Sequence, residues 1–352
     1  MRVLNLNNLL PSTLYPHKVT YIMAMGECMR HAGDDEGVTV DVDDDGIRYE
    51  RPATLPRKIA AYARLWWRCA TRNLSKYDIV YVSHVPFCWP ILLNPSLRRS
   101  RLFIHWHGND LVGGGAARLL RMLLLKGPMK RALHIVPSHY FIDRLSEVYP
   151  WARILAYIAA SGGVDTELFS AVERPRDRFV IGFPSELTAA KGADAFAALM
   201  ERHADIEAAI GREVEFAVID YGSEAAKWID RYRATGARLR VVGKMARHEM
   251  PGFYHTLSMA AVLSTRRGES LGLVALEAMS CGLPVLARNM CAFPEFVKPG
   301  ETGELVEPDA PAESLVERTI AIARGDYNPR AMVESRYSPK VTTFEYRVLF
   351  FS

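Results

Sequence analysis

Short apolar runs recur along the chain, each followed by a polar, glycine-bearing loop and then by a segment with helical spacing of its apolar residues. The runs at 2–9, 77–83, 101–106, 134–136, 178–183, 213–219, 238–242 and 284–287 have the length and apolar character of buried parallel strands. Between them, HKVTYIMAMGECMRHAG at 17–33 has helical spacing and ends at Gly33. HYFIDRL at 139–145 follows Ser138, a residue suited to an N-cap. Strand, loop and helix in alternation make βαβ units, so the class is α/β. A chain of 352 residues exceeds one ordinary hydrophobic core and predicts two domains.

Two polar stretches interrupt this pattern. VDVDDDG at 40–46 invites comparison with a metal-binding Asp-x-Asp, but an acidic turn between short strands, closed by Gly46, is the expected structure, with no metal. RKIAAYARLWWRCATRNLSK at 57–76 is predicted to be an amphipathic helix. Arg57, Arg64, Arg68 and Arg72 fall on one face, Ile59, Tyr62, Trp66 and Cys69 on another, and Trp67 between them.

Charge sharpens that second feature. The whole chain carries +4, yet residues 51–131 hold fifteen Lys and Arg against Asp78 and Asp110, a net +13 that leaves −9 for the rest. Such one-sidedness predicts an anionic partner. Basic residues beside tryptophan suit a helix lying on an anionic bilayer, and Arg98, Arg99, Arg101, Arg118, Arg121, Lys126, Lys130 and Arg131 extend the field. A core-facing helix with a solvated basic face is the plainer alternative. No recognition motif accompanies the charge, so nucleic acid is not expected. The five cysteines are scattered without a C-x-x-C spacing, which predicts a reduced, cytoplasmic protein without disulfides or zinc. Met1-Arg2-Val3-Leu4 leads straight into the first strand, so no signal peptide is expected. LLRMLLL at 119–125 is too short for a membrane span and carries Arg121.

The chemistry concentrates in 264–306. Glu269 and Glu277 stand eight positions apart, the first at a turn flanked by Gly268 and Gly272, the second inside the helix that follows. Cys281-Gly282-Leu283-Pro284 ends that helix, and Pro284-Val285-Leu286-Ala287 is a buried strand. The start of such a helix offers free backbone N–H groups beside a carboxylate, a geometry suited to a phosphate with a sugar next to it. In order come Glu269, Gly272, Leu273, Glu277-Ala278-Met279, Cys281-Gly282, Pro284-Val285, Pro294-Glu295 and Thr302-Gly303. This set resembles the retaining nucleotide-sugar glycosyltransferases of the GT-B fold, the group 1, family 4-like enzymes marked by two glutamates separated by seven residues.

The resemblance implies two Rossmann-like domains facing across a cleft, with a closing C-terminal helix (SPKVTTFEYRVLFFS) crossing back to the first. The expected domains are 1–157 with 338–352, and 158–337. It implies no cofactor beyond a nucleoside-diphosphate-sugar donor, no catalytic metal, and a glycan or lipid-linked acceptor in envelope or extracellular polysaccharide synthesis. Glu269 is then expected on donor-sugar hydroxyls and Glu277 on the ribose. Lys191-Gly192, the backbone of Ser270, Leu271, Gly272 and Leu273, and a nearby arginine are expected on the diphosphate. The Gly243-Lys244-Met245 turn is expected at the base. His107-Gly108, at a strand end with Asp110 close behind and Gly113-Gly114-Gly115 beyond, resembles the family's histidine loop, which reaches the donor sugar; His84 and His105 are lesser candidates for that contact. Gly162-Gly163-Val164-Asp165 resembles the segment after the interdomain hinge, and Gly222 the glycine of a later loop.

Three departures matter. Where relatives carry the phosphate arginine, five residues before Lys191, stands Glu186. Either Glu186 turns away and Arg266 or Arg267 supplies the cation, or donor binding is impaired. Ser12 and Thr13 replace an expected glycine pair in the loop 11–16, and Cys291-Ala292 replace another. The rival function is therefore a GT-B relative that binds a membrane or a partner without turnover. A glycan phosphorylase is disfavoured, since no pyridoxal-binding lysine signature is visible.

Overall fold

The computed structural model describes residues 1–12, 20–48, 54–112, 126–157, 162–173 and 177–352. Two compact units emerge: Met1–Gly163 with Pro339–Ser352, and Val164–Ser338. The break falls at Gly163/Val164, six residues beyond the expected 157/158, and residues 158–161 between them lie outside the described set. The helix Pro339–Phe351 belongs to the first unit, where Tyr346, Leu349 and Phe350 join its core.

The first unit holds a parallel sheet of β1 (Arg2–Leu10), β2 (Asp41–Arg48), β3 (Ile79–Ser83), β4 (Arg101–His105), β5 (Leu133–Val136) and β6 (Arg153–Tyr157). Its spatial order is β2-β1-β3-β4-β5-β6. The chain runs from β1 outward to β2 and returns to β3 on the other side, so the topological switch point lies between β1 and β3. The second unit repeats the plan with β7 (Phe179–Phe183), β8 (Val214–Ile219), β9 (Arg238–Val242), β10 (Met259–Val262), β11 (Val285–Arg288) and β12 (Gly303–Val306). Here the order is β12-β11-β10-β7-β8-β9, and the switch point lies between β7 and β10. β3, β10 and β11 are buried along their whole length, which explains their uninterrupted apolar runs.

Two expectations need correction. The acidic stretch is not a turn: Asp41–Arg48 forms β2, paired in parallel with β1. Its carboxylates are occupied, Asp43 by Arg72 and Tyr77, Asp44 by Arg30 and Asn5, and Asp45 by Arg68 and Arg72. The amphipathic segment forms helix α2, Leu55–Thr71, and the core takes Leu65 and Cys69 rather than Ile59. Since Arg68 and Arg72 face β2, the basic surface of α2 is confined to Arg57, Lys58 and Arg64, all exposed. The edge strand supplies counter-charges that helical spacing alone does not reveal. The expected loop at 13–16, Gly113-Gly114-Gly115, Arg118, Arg121 and the run 119–125 lie outside the described residues.

Candidate functional site

In the second unit the two loops leaving the switch point are drawn together. The loop after β7 ends in a 3-10 turn, Ala189–Lys191, closed by Gly192 at φ 89°. A Cβ at Gly192 would lie 2.2 Å from the Leu263 carbonyl oxygen, so only glycine permits this approach. The Thr265 N–H donates to the Ala190 carbonyl at 3.1 Å, tying this loop to the one after β10. Lys191 Nζ thereby reaches Glu269 Oε2 at 2.6 Å, and Ser264 Oγ donates to the same oxygen at 2.9 Å. Residues 78 apart in sequence are thus an ion pair, with about a fifth of the Lys191 side chain exposed (20%) and 17% of that of Glu269. An ammonium has three donors, so Lys191 can hold Glu269 and still donate to an incoming phosphate.

The helix Leu273–Ser280 begins beside this pair. Its N-cap is Gly272 at φ 70°, where a Cβ would meet the Phe293 ring at 2.6 Å. Ser270 and Leu273 are half-buried and Leu271 is buried, which places the turn's backbone at the mouth of the helix. Glu277 lies one turn in and is buried. Its Oε1 accepts from Arg247 Nε at 3.0 Å, and Tyr254 Oη donates to Oε2 at 3.5 Å. Burial raises the Glu277 pKa and the Arg247 guanidinium opposes the rise. In the turn after β9, Gly243 and Lys244 are exposed and Met245 half-buried, with Lys244 Nζ 5.4 Å from the Tyr221 ring centroid.

Arg266 and Arg267 stand exposed on the loop after β10. Glu186 is half-buried against the turn after β8, its Cγ close enough that a Cβ on Gly222 would approach to 2.8 Å. No hydrogen bond or ion pair holds its carboxylate among the described residues.

In the first unit, His107 is buried just past β4, and its backbone N–H donates to both oxygens of the buried Asp110 carboxylate, at 3.0 and 3.1 Å. Burial lowers the pKa of His84 to about 4 and of His105 to about 3, and lowers that of His107 as well. It raises that of Asp110 to about 7. Ser138 takes the N-cap position of the helix His139–Val148, without a capping hydrogen bond.

These shifts have a sign. Below about pH 6.5 the unfolded chain binds protons at the three histidines that the folded unit does not, so stability falls on acidification. Asp110 acts oppositely, binding a proton in the folded state up to about pH 7, but three groups outweigh one. Urea unfolding is expected to show stability dropping between about pH 7 and 5, by roughly 1.4 kcal/mol per pH unit per proton of difference. A flat profile would contradict the buried, neutral histidines.

A family model described as glycosyl transferases group 1 matches residues 164–337. Through that unit the chain belongs to the group 1 glycosyl transferases.

Among curated relatives, the D-inositol 3-phosphate glycosyltransferase of Corynebacterium jeikeium is 31% identical over 228 residues, covering 56% of this chain and 52% of the relative. The GDP-mannose-dependent alpha-(1-6)-phosphatidylinositol monomannoside mannosyltransferase of Mycobacterium tuberculosis is 28% identical over 284 residues, covering 72% and 71%. The chain thus spans about half the length of the corynebacterial protein. Among solved structures, sucrose-phosphate synthase from Thermosynechococcus elongatus matches with TM-score 0.69 at 18% identity, over 100% of this chain and 99% of that one. HepE of Anabaena in complex with UDP matches with TM-score 0.67 at 16% identity, over the same shares. At such identities the likeness is one of fold, the expected GT-B plan of two Rossmann-like α/β domains.

Within the group 1 glycosyl transferase unit, the structure brings together Lys191, Gly192 and Glu269, and separately Glu277 with a residue not singled out from sequence. Arg247 is that residue. Arg266 and Arg267 stand next to the motif, whereas Arg247 lies 30 positions before Glu277, in the connection that crosses from β9 back to β10. Tyr254 lies in the same connection, 23 positions before Glu277, whereas Ser264 stands five positions before Glu269 with nothing in its residue type to mark it. The single available signal was an arginine four residues past Gly243, which is weak.

Proposed function

We propose that this chain transfers a sugar from a nucleoside-diphosphate sugar, with retained anomeric configuration, to a lipid-linked or glycan acceptor bearing a phosphate. The observation that carries the reading is the Lys191–Glu269 pair, seated at the β7/β10 switch point beside the start of the helix Leu273–Ser280. Ligands of open α/β sheets collect at such points. As the donor bond breaks, negative charge grows on the leaving diphosphate. Lys191 and the N–H groups at the helix start are fixed donors for that charge, usually the largest catalytic contribution in such a site. Glu269 holds sugar hydroxyls, Glu277 the ribose, and Arg247 orients Glu277 with guanidinium donors to spare. Protein cations do the work a metal would otherwise do, and the leaving diphosphate accepts the acceptor's proton on the same face. His107, in the first unit, is that unit's candidate substrate contact. The names of the two curated relatives support a phosphoinositol-type acceptor.

The bilayer is the proposed location of that acceptor. Leu55, Ile59, Trp66 and Trp67 on α2, with Phe87, are exposed next to Arg57, Lys58 and Arg64. Trp67 keeps 71% of its surface open to solvent. An aromatic and basic helix face of this kind inserts at an anionic headgroup layer. Each basic residue there contributes about 1 kcal/mol, so Arg64→Gln is expected to weaken sedimentation with phosphatidylglycerol vesicles about fivefold. Equal binding to neutral phosphatidylcholine vesicles would remove this part of the reading.

A second reading rests on Glu186, a carboxylate where a diphosphate is expected. The variant Glu186→Arg separates the two. If the natural chain turns over and Glu186→Arg abolishes it, Glu186 has a role of its own and Arg266 or Arg267 supplies the phosphate cation beside Lys191. If only the variant turns over nucleotide sugar, the natural chain is a binding protein.

A further inference from the structure

We propose that His84 is a positioning residue for His107, fixing its ring and tautomer through a column of three imidazoles at the C-terminal ends of β3 and β4. The His107 ring lies between two others. The His84 centroid is 4.5 Å away at an interplanar angle of 29°, and the His105 centroid is 4.3 Å away at 33°. Tyr21 of α1 (Thr20–His31) closes a further side, its ring centroid 5.4 Å from that of His107.

Each end of the column is anchored. Tyr21 Oη and His84 Nε2 are 2.8 Å apart, and His84 Nδ1 lies 3.7 Å from Asp110 Oδ2, the carboxylate that also accepts the His107 backbone N–H. At the other end His105 Nδ1 and Tyr81 Oη are 2.7 Å apart, and Tyr81 Oη meets Tyr346 Oη at 3.2 Å. His105 is set by β4 and needs no help to stay in place. His84 is different, because it sits just beyond β3 at φ 53° and ψ 49°, the left-handed region that side-chain-bearing residues seldom adopt. Outliers of this kind persist where the surroundings over-determine them, and they cluster at working sites. Here the strained backbone presents the face of the His84 ring to His107 and its two nitrogens to Tyr21 and Asp110. Among the described residues, Tyr21, His84, His105 and Asp110 are the titratable groups facing His107. A proton on any ring of the stack would put charge against its neighbours in a buried place. His107 is thereby held neutral, able to donate or accept one hydrogen bond to a hydroxyl with a fixed choice of nitrogen.

The proposal rests on the reading of His107 as a substrate contact, and the test separates the two. The full chain, with 15N-labelled histidine, is followed by two-bond 1H–15N spectra across the acidic range, with His107 assigned by its disappearance in His107→Gln. In the natural chain His107 is expected as one neutral tautomer well below the ordinary histidine midpoint. In His84→Asn, whose side chain tolerates the left-handed backbone but supplies no ring, His107 is expected to show exchange between tautomers. Its midpoint should rise toward about 6.5. Tyr21→Phe keeps the aromatic ring and removes only the hydroxyl, so it gives a smaller shift in the same direction if His84→Asn fails to fold. His134→Gln, a buried histidine bonded instead to Trp106 and the Met129 carbonyl, should leave the His107 signals unchanged. A His107 spectrum and midpoint identical to the natural chain in both His84→Asn and Tyr21→Phe overturns the proposal. Turnover then judges the other reading: a freed His107 with unchanged kcat and KM means the positioning holds but His107 does not serve the substrate.

Discussion

Lys191→Ala is expected to lower kcat for sugar transfer by about 10²–10³-fold while changing donor affinity far less. The size follows from the removal of one preorganised group aimed at developing charge, which costs about 2.7–4 kcal/mol in comparable sites. The split between kcat and KM follows from timing, because charge on the leaving diphosphate is greatest in the transition state. The substitution leaves Glu269 bonded to Ser264 and partly solvated, so stability should change little. Lys191→Arg is the informative partner. It keeps the charge, but the planar guanidinium is longer and distributes its donors differently. Initial rates with the donor selected from a nucleotide-sugar panel give both numbers. An unchanged kcat in Lys191→Ala would take Lys191 out of the chemistry.

Glu277→Ala is expected to act on binding instead, weakening the donor by about 10–100-fold in Kd. Hydrogen bonds from neutral hydroxyls to a carboxylate contribute about 1.5–3 kcal/mol. The deletion also leaves Arg247 without its partner, although with 31% of its side chain exposed it can recover water. Tyr254 keeps its bond to the Val274 carbonyl, at 3.3 Å the shorter of its two. The pH dependence carries a sign as well. Because burial raises the Glu277 pKa, donor affinity should begin to fall on acidification above the ordinary glutamate value near 4.5. Glu277→Gln, which does not titrate, should lose that dependence. Calorimetric titration with the nucleoside diphosphate at several pH values measures both effects.

How much of this was legible in the sequence differs by element. β3, β7, β8 and β11 are buried parallel strands, and their apolar runs say so without ambiguity. The group 1 pattern from Glu269 to Gly303 placed a turn, a helix and a strand where they are found, since Gly272 and Pro284 punctuate them. β2 was not legible. An edge strand of consecutive aspartates violates the usual strand composition, and it survives because Arg30, Arg68 and Arg72 come from elsewhere to pair with it. That same pairing removed two arginines from the expected basic face of α2. The ion pairs Lys191–Glu269 and Arg247–Glu277 were also out of reach, because a crossover at the switch point brings together loops far apart in the chain. The column of His84, His107 and His105 was partly visible, as three histidines near two strand ends. What spacing could not show is that Ser83 pairs with His105 across β3 and β4, which sets the residues after them side by side.

The central claim is that the loops at the β7/β10 switch point and the start of the helix Leu273–Ser280 receive a nucleoside diphosphate. Thermal unfolding of the full chain, with UDP and separately with GDP, tests it most directly, using the natural protein and Glu277→Ala side by side. One of the two nucleotides is expected to stabilise the natural chain, by about 2.7 kcal/mol at 100 times its Kd, and to stabilise Glu277→Ala markedly less at the same concentration. No stabilisation by either nucleotide, or equal stabilisation of both proteins, would contradict the account.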